Sequence, residues 1–275
     1  MISNAKPNPD QPDRPGTSAD AFLGGRLEIV QRTGGHRGGS DAVFLAAAVP
    51  AQTGEAVLDA GAGAGTGGLC VLARVSGVTL TAVEIDANQC DLAVKNAARN
   101  GLASHFRAVT ADLSAPARAL SEAGLIREGY DHVMANPPFY AAGSVRATPD
   151  TARATAHVMP NGELERWVRF LTTHTAPRGT ITLIHRADCL GVLFDLLQDR
   201  FGDLAVYPLF PKEGVPASRV IIHGRKNSRA KVRLLQGLVL HEVGGSYTEE
   251  AEAVLRGGAG LFLGTSKNAG VVSQD

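Results

Sequence analysis

Residues 57–69 read VLDAGAGAGTGGL, an apolar run that ends in Asp59 and passes through Gly61, Gly63 and Gly65 into a helical pattern. Alternate glycines have a physical use at such a point: the backbone turns sharply after a strand, and a ligand approaches the main chain closely. The motif therefore asks for a strand–turn–helix unit, and the remaining chain supplies its repeats. From Ala56 onward, short β-branched runs alternate with longer helical patterns, the signature of βαβ units in a mostly parallel sheet. Strands are expected over 56–59, 79–84, 105–109, 130–135, 180–185 and 204–209, and 218–223 with 232–240 reads as a terminal hairpin. Helices are expected over 66–75, over 87–100 before Gly101, and over 188–200 before Gly202. Leu164, Trp167, Val168 and Leu171 recur at helical spacing behind Asn161 as N-cap.

Ahead of the sheet, residues 27–31 are expected as a strand, followed by a Gly-rich turn and a short helix over 41–49 capped by Ser40. The first 20 residues, rich in Pro, Asn and Asp, read as a disordered leader and not as a signal peptide. A single domain is expected over 21–263, its segment 21–50 covering the ligand site, with 264–275 a loose tail. No apolar run approaches the roughly 18 residues of a membrane span, so a cytoplasmic protein is expected.

Lysine plus arginine equals aspartate plus glutamate at 27 each, so any grip on nucleic acid must come from a local patch. Cys70, Cys90 and Cys189 are odd in number in a chain that is not small, so no disulfide framework is expected, and they lie far apart without a CxxC pair. They are expected to be small buried apolar side chains, and no metal site is expected.

The spacing D-x-G-x-G-x-G, with an acid at the strand tip, differs from the G-x-G-x-x-G of dinucleotide folds. A carboxylate there repels a pyrophosphate and suits the ammonium of a methionine-like moiety, so Asp59 points to S-adenosyl-L-methionine. Glu84, at the next strand tip, suits the two ribose hydroxyls, while Asp86 is equally explained as a helix cap. Asp112, after the third strand, is either an acceptor for the adenine amino group or a turn residue before Pro116. Three acids at successive strand tips line the edge where open α/β sheets bind ligands.

The fourth strand runs into Asn136, Pro137, Pro138 and Phe139. An amino nitrogen conjugated to a base or carbonyl is a poor nucleophile, because its lone pair is delocalised. If the Asn136 side-chain oxygen and the Pro137 carbonyl each accept one N–H, the nitrogen is drawn toward tetrahedral geometry and its lone pair faces the methyl donor. Phe139 offers a stacking face. The other reading is a proline-rich turn with Phe139 in the core.

With these motifs in place, the chain resembles class I methyltransferases of the [ND]-P-P-[FY] group, and within it bacterial tRNA(Val) adenine-N6 methyltransferases. The resemblance runs from about Leu27 and includes DAGAGAG, VEID, NPPF and the C-terminal stretch from YPLFPKEGVPASRVII. It implies a Rossmann-like, seven-stranded, mostly parallel sheet with an antiparallel C-terminal hairpin and helices on both faces. It also implies S-adenosyl-L-methionine as cofactor, residues 136–139 as the catalytic loop, and an RNA substrate, tRNA first. Relatives with the same tetrapeptide methylate guanine N2 of ribosomal RNA or a protein glutamine, and both stay open as alternatives. For RNA contact, Arg225, Lys226, Arg229 and Lys231 on the expected hairpin turn are candidates, the other reading being a charged sheet edge. Arg146 and Arg153, on the loop after the tetrapeptide, are candidates to clamp nucleotides flanking a flipped-out base. Roles for Arg37, Asp41 and His157 stay open.

Overall fold

The computed structural model describes residues 16–34, 37–138, 161–263 and 270–272. A hairpin of β1 (Thr17–Phe22) and β2 (Leu27–Arg32) precedes α1 (Ser40–Ala48). Then come β3 (Ala56–Ala60), α2 (Thr66–Arg74), β4 (Thr79–Glu84), α3 (Ala87–Arg99), β5 (Phe106–Thr110), α4 (Ala117–Glu122) and β6 (Tyr130–Ala135). The C-terminal half contains α5 (Asn161–His174), β7 (Thr175–Arg186), α6 (Leu190–Leu197), β8 (Phe201–Lys212) and β9 (Arg219–Lys226). Two short strands, β10 (Arg233–Leu234) and β11 (Leu238–His241), then α7 (Glu249–Leu255), β12 (Gly260–Phe262) and β13 (Gly270–Val272) complete it.

Among the described residues the main sheet has nine strands in the order β10-β8-β9-β7-β6-β3-β4-β5, with β11 also on β8. Every pairing is parallel except those of β9, which runs antiparallel to both β7 and β8. Strands buried on both faces send alternate residues to opposite sides. Val57, Met134, Ile184 and Ile221 join one core, under α1, α2 and α7. Leu58, Val133, Leu183 and Ile222 join the other, under α4, α5 and α6. All three cysteines are free and buried, as their spacing predicts.

The mixed, mostly parallel sheet with helices agrees with the expected fold class, and the differences have local causes. Strands β3 to β9 match seven of the strands expected from residue 56 onward, and the remaining one, 232–240, divides into β10 and β11 along the outer edge of β8. The antiparallel hairpin is β8–β9, so 232–240 is not the partner of 218–223. That segment instead crosses to the far edge of β8 and splits at Gly237, whose φ of 80° interrupts the ladder. Ser40 is the first residue of α1 and Gly39 its cap, with no side-chain cap bond. Residues 17–20 of the expected leader pair with β2, and 270–272 of the expected tail pair with β12. The rest of both segments lies outside the described residues. Helix α7 carries a start signal in its sequence, Thr248 accepting from the Ala251 N–H ahead of Glu249, Glu250 and Glu252.

Candidate active site

The strand order reverses between β3 and β6: β4 and β5 continue to one side, and β6 returns to the other. Open α/β sheets bind ligands in the crevice above such a reversal. Gly61 follows β3 there and Asn136 follows β6. Gly61 has φ 68°, and a Cβ added to it would collide with the Trp167 indole of α5, so position 61 admits glycine alone. Gly63 has φ 55° and donates its N–H to Glu84 Oε2 at 2.9 Å. Gly65 belongs to the turn but not to the crevice wall: it caps α2 and packs against Ala93 and Phe106.

Glu84 ends β4, and its Oε1 also accepts the N–H groups of Ile85 and Asp86, at 2.9 and 3.1 Å. Three backbone donors thus orient this carboxylate at the strand tip while leaving it acceptor capacity. Asp86 caps α3 through Asn88, so its structural explanation holds. Asp112 accepts the Ser114 N–H and hydroxyl on Oδ1, both at 2.8 Å, and these bonds hold its carboxyl below the usual range. Asp59 is 4% exposed and accepts the Gly68 N–H at 3.0 Å. Burial pushes its carboxyl up to about 7, opposed by the Gly68 N–H and reinforced by the charge of Glu84.

Two connected compartments result. An outer cleft of about 620 Å³ is lined by Glu84, Ile85, Asp112, Leu113, Pro138, Arg166 and Trp167 among others, a size suited to a nucleoside-bearing ligand. An inner, more enclosed compartment is lined by Gln31, Arg32, Gly38, Asp59 and Thr66 among others, so β2 and the turn after it form one of its walls. Gly61, Gly63, Gln89 and Asn136 border both. Asn136 Oδ1 is buried and has no hydrogen-bond partner among the described residues, and the same is true of Gln89 Oε1. Buried acceptors are nearly always satisfied, so two orphans on residues that border one junction ask for a donor that arrives with a ligand. Pro137 is buried, and Pro138 is exposed in the cleft. Phe139, Arg146, Arg153 and His157 lie outside the described residues.

The profile of the methyltransferase small domain family matches residues 38–173. The tRNA1(Val) (adenine(37)-N6)-methyltransferase of Bacteroides fragilis is 28% identical over 193 residues, covering 67% of this chain and 75% of its own. Its counterpart from Shewanella sp. strain W3-18-1 is 26% identical over 212 residues, covering 76% and 86%. A crystal structure of a predicted O-methyltransferase from Agrobacterium tumefaciens superposes with TM-score 0.66 at 26% identity, over 78% of this chain and 94% of that one. This chain is an S-adenosylmethionine-dependent methyltransferase. The acceptors in these names differ, oxygen in one and adenine nitrogen in the others. The comparisons therefore agree on methyl transfer and leave the acceptor to the site.

The residues of this methyltransferase fit the donor. The outer cleft offers Glu84 beside the 66%-exposed apolar side chain of Ile85, complementary to a ribose joined to a purine. The inner compartment carries one acid, Asp59, and one base, Arg32, which suits the zwitterionic end of an amino acid. The raised Asp59 carboxyl makes a pH prediction. If an ammonium binds against it, binding draws off its proton, so donor affinity is expected to strengthen about five-fold from pH 6 to 7.5. The gain levels off where the donor's own amino group titrates, near pH 7.7–8.0. Calorimetric titration across that range checks this, and the Asp59→Asn variant should flatten the curve.

In the basic loop the structure corrects one candidate, Lys226. Arg219 of β9 pairs with Arg186 at the C-terminal end of β7, while Arg225 pairs with Thr180, and Lys226 with Phe201 at the start of β8. Because β9 is antiparallel, Arg225, Lys226, Arg229 and Lys231 lie at the sheet edge opposite Asn136. Lys226 is moreover buried, its Nζ donating to Glu128 Oε1 and to the Thr172 and Thr175 carbonyls at 2.9, 2.8 and 2.7 Å. These three bonds exhaust its donors and leave none for a phosphate. Arg225 donates to the Arg178 carbonyl, and Arg229 and Lys231 are exposed. Of the residues left open, Arg37 pairs with Asp20 and bonds Ser18, and Asp41 pairs with Arg219 at 2.8 Å, so both tie elements together. Sequence reasoning missed Gln89, Arg166 and Trp167 as cleft residues, since all three sit inside ordinary helical patterns.

Proposed function

We propose that the acceptor is the exocyclic amino nitrogen of an RNA base, with adenine N6 of a transfer RNA the favoured target. One observation carries this reading: the buried, unpartnered Asn136 Oδ1 at the junction of donor cleft and inner compartment. An amino group brings two N–H donors, one for Asn136 Oδ1 and one for the Pro137 carbonyl. An alcohol brings a single O–H, enough for Asn136 Oδ1 but not for the Pro137 carbonyl as well, so engaging both acceptors favours an amino group. Bound S-adenosylmethionine supplies an electrophilic methyl group. Asn136 and Pro137 hold the amino nitrogen so that its lone pair faces that methyl, and the surplus proton becomes acidic only after transfer. Positioning and local electrostatics therefore suffice without a strong base.

The names of the two bacterial relatives support adenine in tRNA. The test is incubation with labelled donor and total RNA lacking the modification, followed by nucleoside analysis. N6-methyladenosine in the tRNA fraction is expected; N2-methylguanosine, or RNA that stays unlabelled, would overturn the adenine assignment. Arg166 is exposed and lines the cleft, where it can meet a flanking phosphate. Arg166→Ala is expected to reduce the slope of log affinity against log salt by about 1, uniformly across RNA sequences. An unchanged slope in filter binding would remove Arg166 from the RNA surface.

A further inference from the structure

Gln89 sits in the first turn of α3, where the Asp86 cap fixes the helix and the Gln89 N–H bonds the Asp86 carbonyl at 3.0 Å. Gln89 borders both compartments, and its Oε1 is buried and unpartnered among the described residues. A buried amide oxygen without a donor destabilises the free protein, so its presence calls for a function. The second orphan at this junction, Asn136 Oδ1, lies at the tip of β6, which supplies the catalytic tetrapeptide, whereas Gln89 stands on the helix that follows Glu84. It is thus on the donor's side of the junction. In the inner compartment Asp59 already gives one oxygen to Gly68, and an ammonium has three hydrogens to place.

We propose that Gln89 is a donor-positioning residue whose buried carboxamide oxygen accepts a hydrogen from the ammonium of S-adenosylmethionine. The contact would fix the amino-acid end in the inner compartment and so set the register of the methyl group with Asn136. This concerns the donor alone and holds whichever acceptor is methylated.

The test compares the product S-adenosylhomocysteine with 5′-methylthioadenosine, which lacks the amino-acid end, by calorimetric titration of the full chain. Gln89→Leu should weaken S-adenosylhomocysteine about ten-fold while leaving methylthioadenosine unchanged. The same variant should melt no lower than the parent, because it removes an unsatisfied buried acceptor. Gln89→Glu keeps an acceptor oxygen and should hold S-adenosylhomocysteine within about three-fold of the parent. Unchanged affinity in the leucine variant would overturn the contact. Equal loss of both ligands would overturn it too, showing that Gln89 shapes the nucleoside cleft. Loss in the glutamate variant would do the same, since the carbonyl oxygen would then not be the group used.

Discussion

Asn136→Ala is expected to lower the methyl-transfer rate by about a thousand-fold while leaving donor affinity within about two-fold of the parent. The loss follows from what the side chain contributes. Removing one preorganised group aimed at a reacting centre costs about 10²–10³ in kcat, and in the proposed mechanism the same group also selects the reactive geometry of the nitrogen. The donor should be little affected, because Glu84, Asp59 and the glycine turn that fit it come from β3, β4 and the segments after them, not from β6. Stability should not fall. Oδ1 is buried without a partner among the described residues, and removing an unsatisfied acceptor is neutral or stabilising by about 1 kcal/mol. Single-turnover transfer with saturating donor, alongside donor titration and thermal melting, separates the three quantities. A variant with parental turnover would sink the mechanism proposed for this loop, and one that loses donor binding in proportion to rate would make Asn136 a donor residue.

That the residues of this crevice are so legible in the sequence has a physical reason. β4 and β6 end where expected because each closes on a buried apolar run, 82–83 and 133–135, and the polar residues Glu84 and Asn136 that follow cannot continue it. The glycine turn is legible because backbone at φ 68° and 55° admits few other residues. Gln89 and Trp167 were hidden for the opposite reason. A helix presents polar and aromatic residues on its surface everywhere, and only the packing of α3 and α5 against the strand tips turns these two toward the crevice. Trp167 was visible as a helical apolar position, but its contact with Gly61, some hundred residues earlier, is tertiary. The C-terminal pairing was misassigned because β10 and β11 are short and lie at an edge, where pairing partners are set by chain crossing and not by local pattern.

The basic loop shows how a charge run misleads and what corrects it. In the run HGRKNSRAK every cation is equally plausible as a surface group, and strand alternation does not separate them, because Ile221 and Ile222 are both fully buried while Arg225 is exposed and Lys226 is not. The side chain reaches the end of α5, where the last carbonyls of a helix lack intrahelical donors and favour a cation. With Thr172 and Thr175 carbonyls both on its ammonium, Lys226 ties β9 to the C-terminus of α5, and through Glu128 to the segment before β6.

Lys226→Met is therefore expected to destabilise the fold by about 3 kcal/mol, since it keeps the apolar stem but leaves two carbonyls short of a donor. None of that figure is assigned to Glu128, whose exposed carboxylate regains water. For a domain of this size the midpoint should fall by about 6–12 °C. Arg225→Ala, which removes an exposed guanidinium and one bond to the Arg178 carbonyl, should shift it by less than about 2 °C. Thermal melting of both variants, with RNA binding measured well below either midpoint, distinguishes a buried tie from a phosphate contact. The methionine variant should bind RNA with the parental salt slope despite its lower midpoint. A parental midpoint combined with a slope reduced by about 1 would show the Lys226 ammonium on phosphate and return the loop to the RNA surface.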